Sequence, residues 1–218
     1  MSDKRTCRLY LVSPPAIELP TFEEQLKAAF SGGDVAAFQL RLKNTSDEDI
    51  LKAAEALLPI CHANEAAFIL NDRADLAVKC NADGIHLGQD DMPVKDARNI
   101  LGDEKIIGVS CHASRHLAMV AGEQGADYVA FGAFYPTNSK PKEKVEKWGV
   151  PTPGILEWWQ STTVLPCVAI GGMTPANCSR EAKAGADFIA AITYVWDHPK
   201  GPEAAVKEFN EAIERALQ

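Results

Sequence analysis

The chain is expected to fold as a single (β/α)8 TIM barrel, a closed parallel sheet wrapped by helices, on three observations. Short apolar runs alternate with amphipathic, Ala-rich runs eight times from end to end, the pattern of parallel strands joined by right-handed helical crossovers. No change of composition and no low-complexity linker interrupts the rhythm, and eight unbroken units favour a closed barrel over an open sheet. A short turn also recurs: Asn81-Ala82-Asp83, Gly125-Ala126-Asp127 and Gly185-Ala186-Asp187 each stand directly before a strand. A Gly or Asn there reads as a helix C-cap. With 218 residues the barrel is compact, one catalytic domain over residues 1–218.

Each element has its own signal. Arg8–Ser13 is the first strand, and Pro14, Pro15 and Pro20 mark the loop after it. Thr21 with Glu24 three residues on reads as a capping box for a helix reaching about Gly32. The second strand is Ala36–Leu42. Ser46 then caps a helix whose Ile50, Leu51, Ala54, Leu57 and Leu58 follow helical spacing. Strand Ala67–Asn71 precedes helix Ala74–Lys79, and strand Gly84–Gly88 precedes helix Val94–Leu101. Strand Lys105–Cys111 precedes a helix from Ser114 to about Glu123. Strand Tyr128–Phe134 leads into a long loop, Tyr135 to about Pro151, then a Trp-bearing helix over Gly154–Gln160. Strand Pro166–Ile170 and a helix from about Pro175 to Lys183 follow, then strand Phe188–Val195 and a closing helix, Pro202–Ala216.

Composition narrows the partners. The formal net charge of −8 speaks against nucleic acid. No apolar run reaches membrane-spanning length, and the one near the N-terminus is too short for a signal peptide. The six cysteines form no C-x-x-C pair and sit in apolar contexts, as buried free thiols of a reducing cytoplasm do. The sequence leaves a homo-oligomer open.

The chemistry gathers on strand ends. In Phe38-Gln39-Leu40-Arg41-Leu42-Lys43, side-chain alternation puts Gln39, Arg41 and Lys43 on one face. Cations that face inward must meet water, carboxylates or an anion. Active sites of this barrel lie at the C-terminal ends of the strands. There the other strands bring Asn71-Asp72, Gln89-Asp90-Asp91, Ser110 and His112, Thr137-Asn138-Ser139-Lys140, Gly171-Gly172 and Ile192-Thr193. Arg41, Lys43 and Lys140 suit phosphate oxygens. Asp72 and Asp91, acids from adjacent loops, suit Mg2+, which takes one or two carboxylates and bridges substrate phosphates. Gly171-Gly172 and the helix after Thr174 offer backbone N–H groups to a second phosphate. His112 is the acid–base candidate, His86 reads as a hydrogen-bonded core histidine, and Trp148 is placed to cover the site. No base pairs with Ser110 in sequence, which disfavours a serine nucleophile.

The segments FQLRLK, ILNDRADLA, GIHLGQDD, IIGVSCH, GADYVAFGAFYPTNSK and VAIGGMTPAN, in this order, resemble the thiamine-phosphate synthase family over nearly the whole chain. The resemblance implies a transferase of thiamine biosynthesis that joins an aminomethylpyrimidine methyl diphosphate to thiazole phosphate, releasing pyrophosphate. It implies that Gln39 through Lys43, Asn71, Ser110 and Lys140 hold the pyrimidine diphosphate and that Asp72 and Asp91 hold Mg2+. Thr137, Asn138, Ser139, Gly172, Ile192 and Thr193 would hold the thiazole phosphate. The chain departs from the family pattern at Ala133, where Pro is usual, at Ser139, often Thr, and at Thr193, usually Ser. Two other readings stand beside this one: a thiazole tautomerase-like isomerase, and a non-catalytic paralogue that binds thiamine phosphates. The related isomerases tend to lose the diphosphate and metal residues, which are kept here.

Overall fold

The structure is a computed structural model that describes residues 6–137 and 147–218. Eight parallel strands close into a barrel in chain order: β1 (Arg8–Val12), β2 (Val35–Leu40), β3 (Ala67–Asn71), β4 (Gly84–Leu87), β5 (Ile106–His112), β6 (Tyr128–Gly132), β7 (Cys167–Ile170) and β8 (Phe188–Ala191). β8 pairs with β1 to complete the ring. Between and after them run α1 (Leu19–Ser31), α2 (Asp47–Ala63), α3 (Ala74–Cys80), α4 (Val94–Leu101), α5 (Arg115–Glu123), α6 (Gly154–Thr162), α7 (Cys178–Ala184), α8 (Thr193–Trp196) and α9 (Pro202–Leu217).

Strand alternation makes two cores. One face of each strand, with Leu9, Leu11, Phe38, Leu40, Phe68, Leu70, Ile85 and Phe131, packs outward on the helices. The other face fills the barrel with Tyr10, Val12, Ala37, Ile69, Tyr128, Ala130, Val168 and Ala190. Both faces are covered, so the strands read as nearly continuous apolar runs. α9 packs on α1 and α7. Ahead of it, Trp196 of α8 donates its indole N–H to Val12 O at 2.7 Å.

The recurrent turn does more than end a helix. Asn81 takes the left-handed conformation at φ 53°, and Gly125 and Gly185 also have positive φ. The Asp that follows reaches back to the preceding strand. Asp83 Oδ2 accepts from Phe68 N–H at 2.7 Å, Asp127 Oδ2 from Ile107 N–H at 2.7 Å and Asp187 Oδ2 from Cys167 N–H at 2.8 Å. Three seams at the N-terminal end of the barrel are thus closed by one device.

Several boundaries differ from expectation. α1 is capped by Glu18, whose carboxylate accepts from Thr21 N–H, so Thr21 lies inside the first turn. Pro20 is the reason: it has no N–H to give and suits that turn. Ser46 and Ser114 cap α2 and α5 as expected. β2 ends at Leu40, and Arg41 continues its alternation beyond the last strand residue. β6 stops at Gly132, short of Phe134. β8 stops at Ala191, and Thr193 opens the short α8 rather than continuing a strand to Val195. α7 begins at Cys178, not near Pro175. Five cysteines are buried, Cys80 is half-buried, and none forms a disulfide. Among the described residues no helix is long and apolar enough to cross a membrane.

Candidate active site

The C-terminal mouth of the barrel holds a cavity of about 720 Å³. Gln39, Arg41, Lys43, Asn71, Asp72, Asp91, Ser110, Thr137, Gly172, Ile192 and Thr193 all line it. Asn138, Ser139 and Lys140 lie outside the described residues. The C-terminal ends of the strands and the loops after them thus bring these residues to one mouth from parts of the chain far apart in sequence.

The cationic side is built by the end of β2. Ser13, fully buried, accepts from Arg41 N–H at 2.8 Å, and Lys43 N–H donates to Pro15 O at 2.9 Å. These bonds replace the ladder where the strand stops and carry the two cations over the cavity. Burial lowers the Arg41 pKa, and Asp72 opposes that shift. Among the described residues no carboxylate hydrogen-bonds its guanidinium. A half-buried cation so placed suits an incoming anion.

The acids face each other beside it. Asp72 sits at φ 64° just past β3, with its N–H bonded to His86 O at 2.9 Å. Its carboxylate pairs with Lys43 Nζ at 3.0 Å. Asp91 Oδ2 accepts from Gly88 N–H at 2.7 Å, and a Cβ at Gly88 would push this carboxylate aside. Desolvation raises the Asp91 pKa, and a hydrogen bond shared with Asp72 raises it further. Two carboxylates that resist sharing one space suit a hard cation with oxygen ligands. No cluster of three or more metal-ligating side chains occurs among the described residues. Two acids beside the cations Arg41 and Lys43 are nevertheless a donor set that Mg2+ accepts.

The floor is a hydrogen-bond network. Gln39 Nε2 donates to Asn71 Oδ1 at 2.6 Å, and Tyr10 O–H donates to Gln39 Oε1 at 3.2 Å. The Tyr10 and Tyr128 hydroxyls are 2.9 Å apart. His86 Nδ1 lies 2.9 Å from Tyr128 Oη, and His86 Nε2 lies 2.8 Å from Ser110 Oγ. Gln89 Nε2 donates to Ser110 O at 2.7 Å. Burial pushes the His86 pKa down to about 4, so the ring is neutral at pH 7. It is the bonded core histidine that was expected, and it also lines the cavity. Tyr10 and Tyr128 escape a sequence reading, because each looks like any core aromatic on an apolar strand. The signal that would have found Tyr128 is Gly108: a Cβ there would overlap the Tyr128 ring, so the glycine makes its berth.

The opposite side carries the glycines. Gly171 at φ 104° and Gly172 at φ 64° abut Ala133 and the Tyr135–Pro136 backbone too closely for any side chain. Asn177 holds this turn, donating to Gly172 O at 2.9 Å and accepting from Thr174 N–H at 2.8 Å. The Thr174 N–H, just ahead of the N–H groups expected for an anion, is therefore already used. Gly172 and the Ile192–Thr193 corner remain on the cavity wall. His112, at φ 54°, stacks on Trp148 with ring centroids 5.4 Å apart and planes 1° from parallel. Trp148 thus packs on a residue of the cavity wall.

Comparison with known proteins shows which family the chain resembles. A family model described as thiamine monophosphate synthase matches residues 9–195. The thiamine-phosphate synthase of Rhodospirillum centenum is 53% identical over 95% of this chain and 98% of its own. That of Erythrobacter litoralis is 48% identical over 96% of each chain. Among solved structures, thiamine phosphate pyrophosphorylase from Pyrococcus furiosus superposes with a TM-score of 0.84 at 29% identity, covering 99% of both chains. Fold, strand-end residues and these likenesses lead to one conclusion: the chain belongs to the thiamine monophosphate synthase family.

Proposed function

We propose that the chain is a thiamine-phosphate synthase, a transferase that joins an aminopyrimidine methyl diphosphate to thiazole phosphate. The observation that carries this reading is the meeting of Arg41, Lys43, Asp72 and Asp91 at one mouth, opposite the Gly171-Gly172 turn. A diphosphate fits the first group and a single phosphate the second.

The reaction asks little covalent chemistry of the protein. The methylene C–O bond breaks, and its electron pair leaves with pyrophosphate. The pyrimidine amino group feeds electrons toward the methylene, and the thiazole nitrogen lone pair then forms the C–N bond. Arg41 and Lys43, with Lys140, would neutralise the leaving group, Asn71 would donate to the diphosphate, and Gln39 and Ser110 would hold the pyrimidine. Thr137 to Ser139, Gly172, Ile192 and Thr193 would seat the thiazole phosphate behind the methylene. Asp72 and Asp91 would hold Mg2+, which neutralises charge on the diphosphate oxygens.

An isomerase of the thiazole has no use for two acids beside two cations, so this set favours the synthase. The test is pyrophosphate release with both substrates and Mg2+. Release that needs all three components, and that Asp72→Ala abolishes while the fold is kept, supports the reading. A purified, folded protein that releases none, or an Asp72→Ala variant with full activity, overturns it.

A further inference from the structure

We infer that Tyr10, Tyr128 and His86 form a one-way hydrogen-bond relay, which makes Ser110 present lone pairs to the cavity while Asn71 presents N–H groups. The three are positioning residues. The inference rests on the synthase reading above and assigns an origin to its polarity.

The direction follows from counting protons. Both phenols are buried and neutral, because burial raises their pKa values, and among the described residues the His86 ring nitrogens meet only the hydroxyls of Tyr128 and Ser110, with no carboxylate to hold a second proton, so the ring brings one N–H. Tyr10 gives its proton to Gln39 Oε1. It must then accept from Tyr128 across their 2.9 Å contact. Tyr128, having given its proton, must accept from His86 Nδ1–H. His86 Nε2 is left bare and accepts from Ser110 O–H. At the far end Gln39 Nε2 donates to Asn71 Oδ1, which leaves the Asn71 N–H2 for the cavity. No link can reverse alone, because each middle group has one proton for two bonds. The opposite polarity needs both amides turned over. That would aim Asn71 Oδ1, an acceptor, at the place meant for a diphosphate, which is an acceptor throughout.

The polarity matches the charge change. As the C–O bond breaks, the pyrimidine amino group takes on positive charge and becomes a stronger donor. A Ser110 oxygen that accepts from it donates harder to His86, and the effect passes along the chain because linked hydrogen bonds polarise one another. The diphosphate, accepting from Asn71, selects the same direction from the other end. The two ends of one substrate are therefore read through six residues of the barrel floor, from Asn71 to Ser110.

Two measurements test it on the full-length protein. The first is the His86 ring tautomer, read by 15N NMR with Mg2+ and inorganic pyrophosphate present and assigned with a His86→Gln control. Protonated Nδ1 and bare Nε2 are expected in the wild type. A proton on Nε2 overturns the relay, and this readout stands even if the wild type releases no pyrophosphate. The second is kinetic. Tyr128→Phe removes one hydroxyl and should lower kcat roughly 10- to 100-fold while KM for the pyrimidine diphosphate moves less than about threefold. In an Ser110→Ala background the same change should cost nothing further. Wild-type kcat in Tyr128→Phe, or losses that multiply in the double variant, refute the coupling, since a merely structural hydroxyl would act independently of Ser110.

Discussion

Gly108→Ala puts the packing of the barrel floor to a quantitative test. Gly108 does not have a positive φ, so alanine brings no backbone strain. Its methyl, however, would overlap Cζ, Cε1 and Oη of Tyr128. Non-bonded carbons rest ~3.5–4.0 Å apart, so the ring must retreat by on the order of 1.5 Å. Both hydrogen bonds of the Tyr128 hydroxyl, each 2.9 Å now, would open. Overpacking costs about 1–3 kcal/mol, and two buried neutral hydrogen bonds cost about 1 kcal/mol each. The sum is roughly 3–5 kcal/mol, or a fall in Tm of roughly 6–20 °C for a chain of this size. Thermal unfolding followed by circular dichroism reads it. The cause is tested in a Tyr128→Ala background, where the added methyl meets empty space and should be neutral or stabilising. Equal destabilisation in both backgrounds would refute the steric account, as would a single variant that melts with the wild type.

Arg41→Ala should lower kcat by about 100-fold or more, yet leave Tm unchanged or slightly higher, because it removes a half-buried cation that burial disfavours; steady-state kinetics beside a melting curve decide. Asp91 has a raised pKa in the folded state. Its stabilising contribution is therefore complete below the unfolded value of about 3.9 and is lost as pH rises through the folded value. With chelator present, Asp91→Asn should then melt higher than wild type at pH 7, and the gain should vanish near pH 3; equal gains at both pH values would contradict the pairing. Asp127→Ala should cost about 2–4 kcal/mol, since it strands the Ile107 N–H and breaks the 2.6 Å pair with Arg98. Asp127→Asn, which keeps an acceptor, should lose less, and denaturant titration compares the two.

The sequence made the barrel legible because period-2 strands and period-3.6 helices leave different marks, and the serine caps at 46 and 114 are local. Glu18 was hidden behind Thr21, whose four-residue pattern mimics a capping box; Pro20, barred from deeper turns, was the better guide. At the site, alternation was enough to place Gln39, Arg41 and Lys43 together. Tyr10 and Tyr128 were not legible, because their hydroxyls meet across 118 residues of chain and each lies on a strand that otherwise reads as apolar. The Asp of the recurrent turn was visible as a repeat, but its bond to the preceding strand is a fact of tertiary structure.

That turn has an evolutionary corollary. Asp83, Asp127 and Asp187 each grip a peptide N–H rather than a side chain. Drift at Phe68, Ile107 or Cys167 leaves the grip intact so long as the newcomer still carries that hydrogen. Proline alone among the standard residues does not, so at these three positions it should be as damaging as loss of the acid itself, while volume and polarity remain free to wander within what the neighbouring helices tolerate.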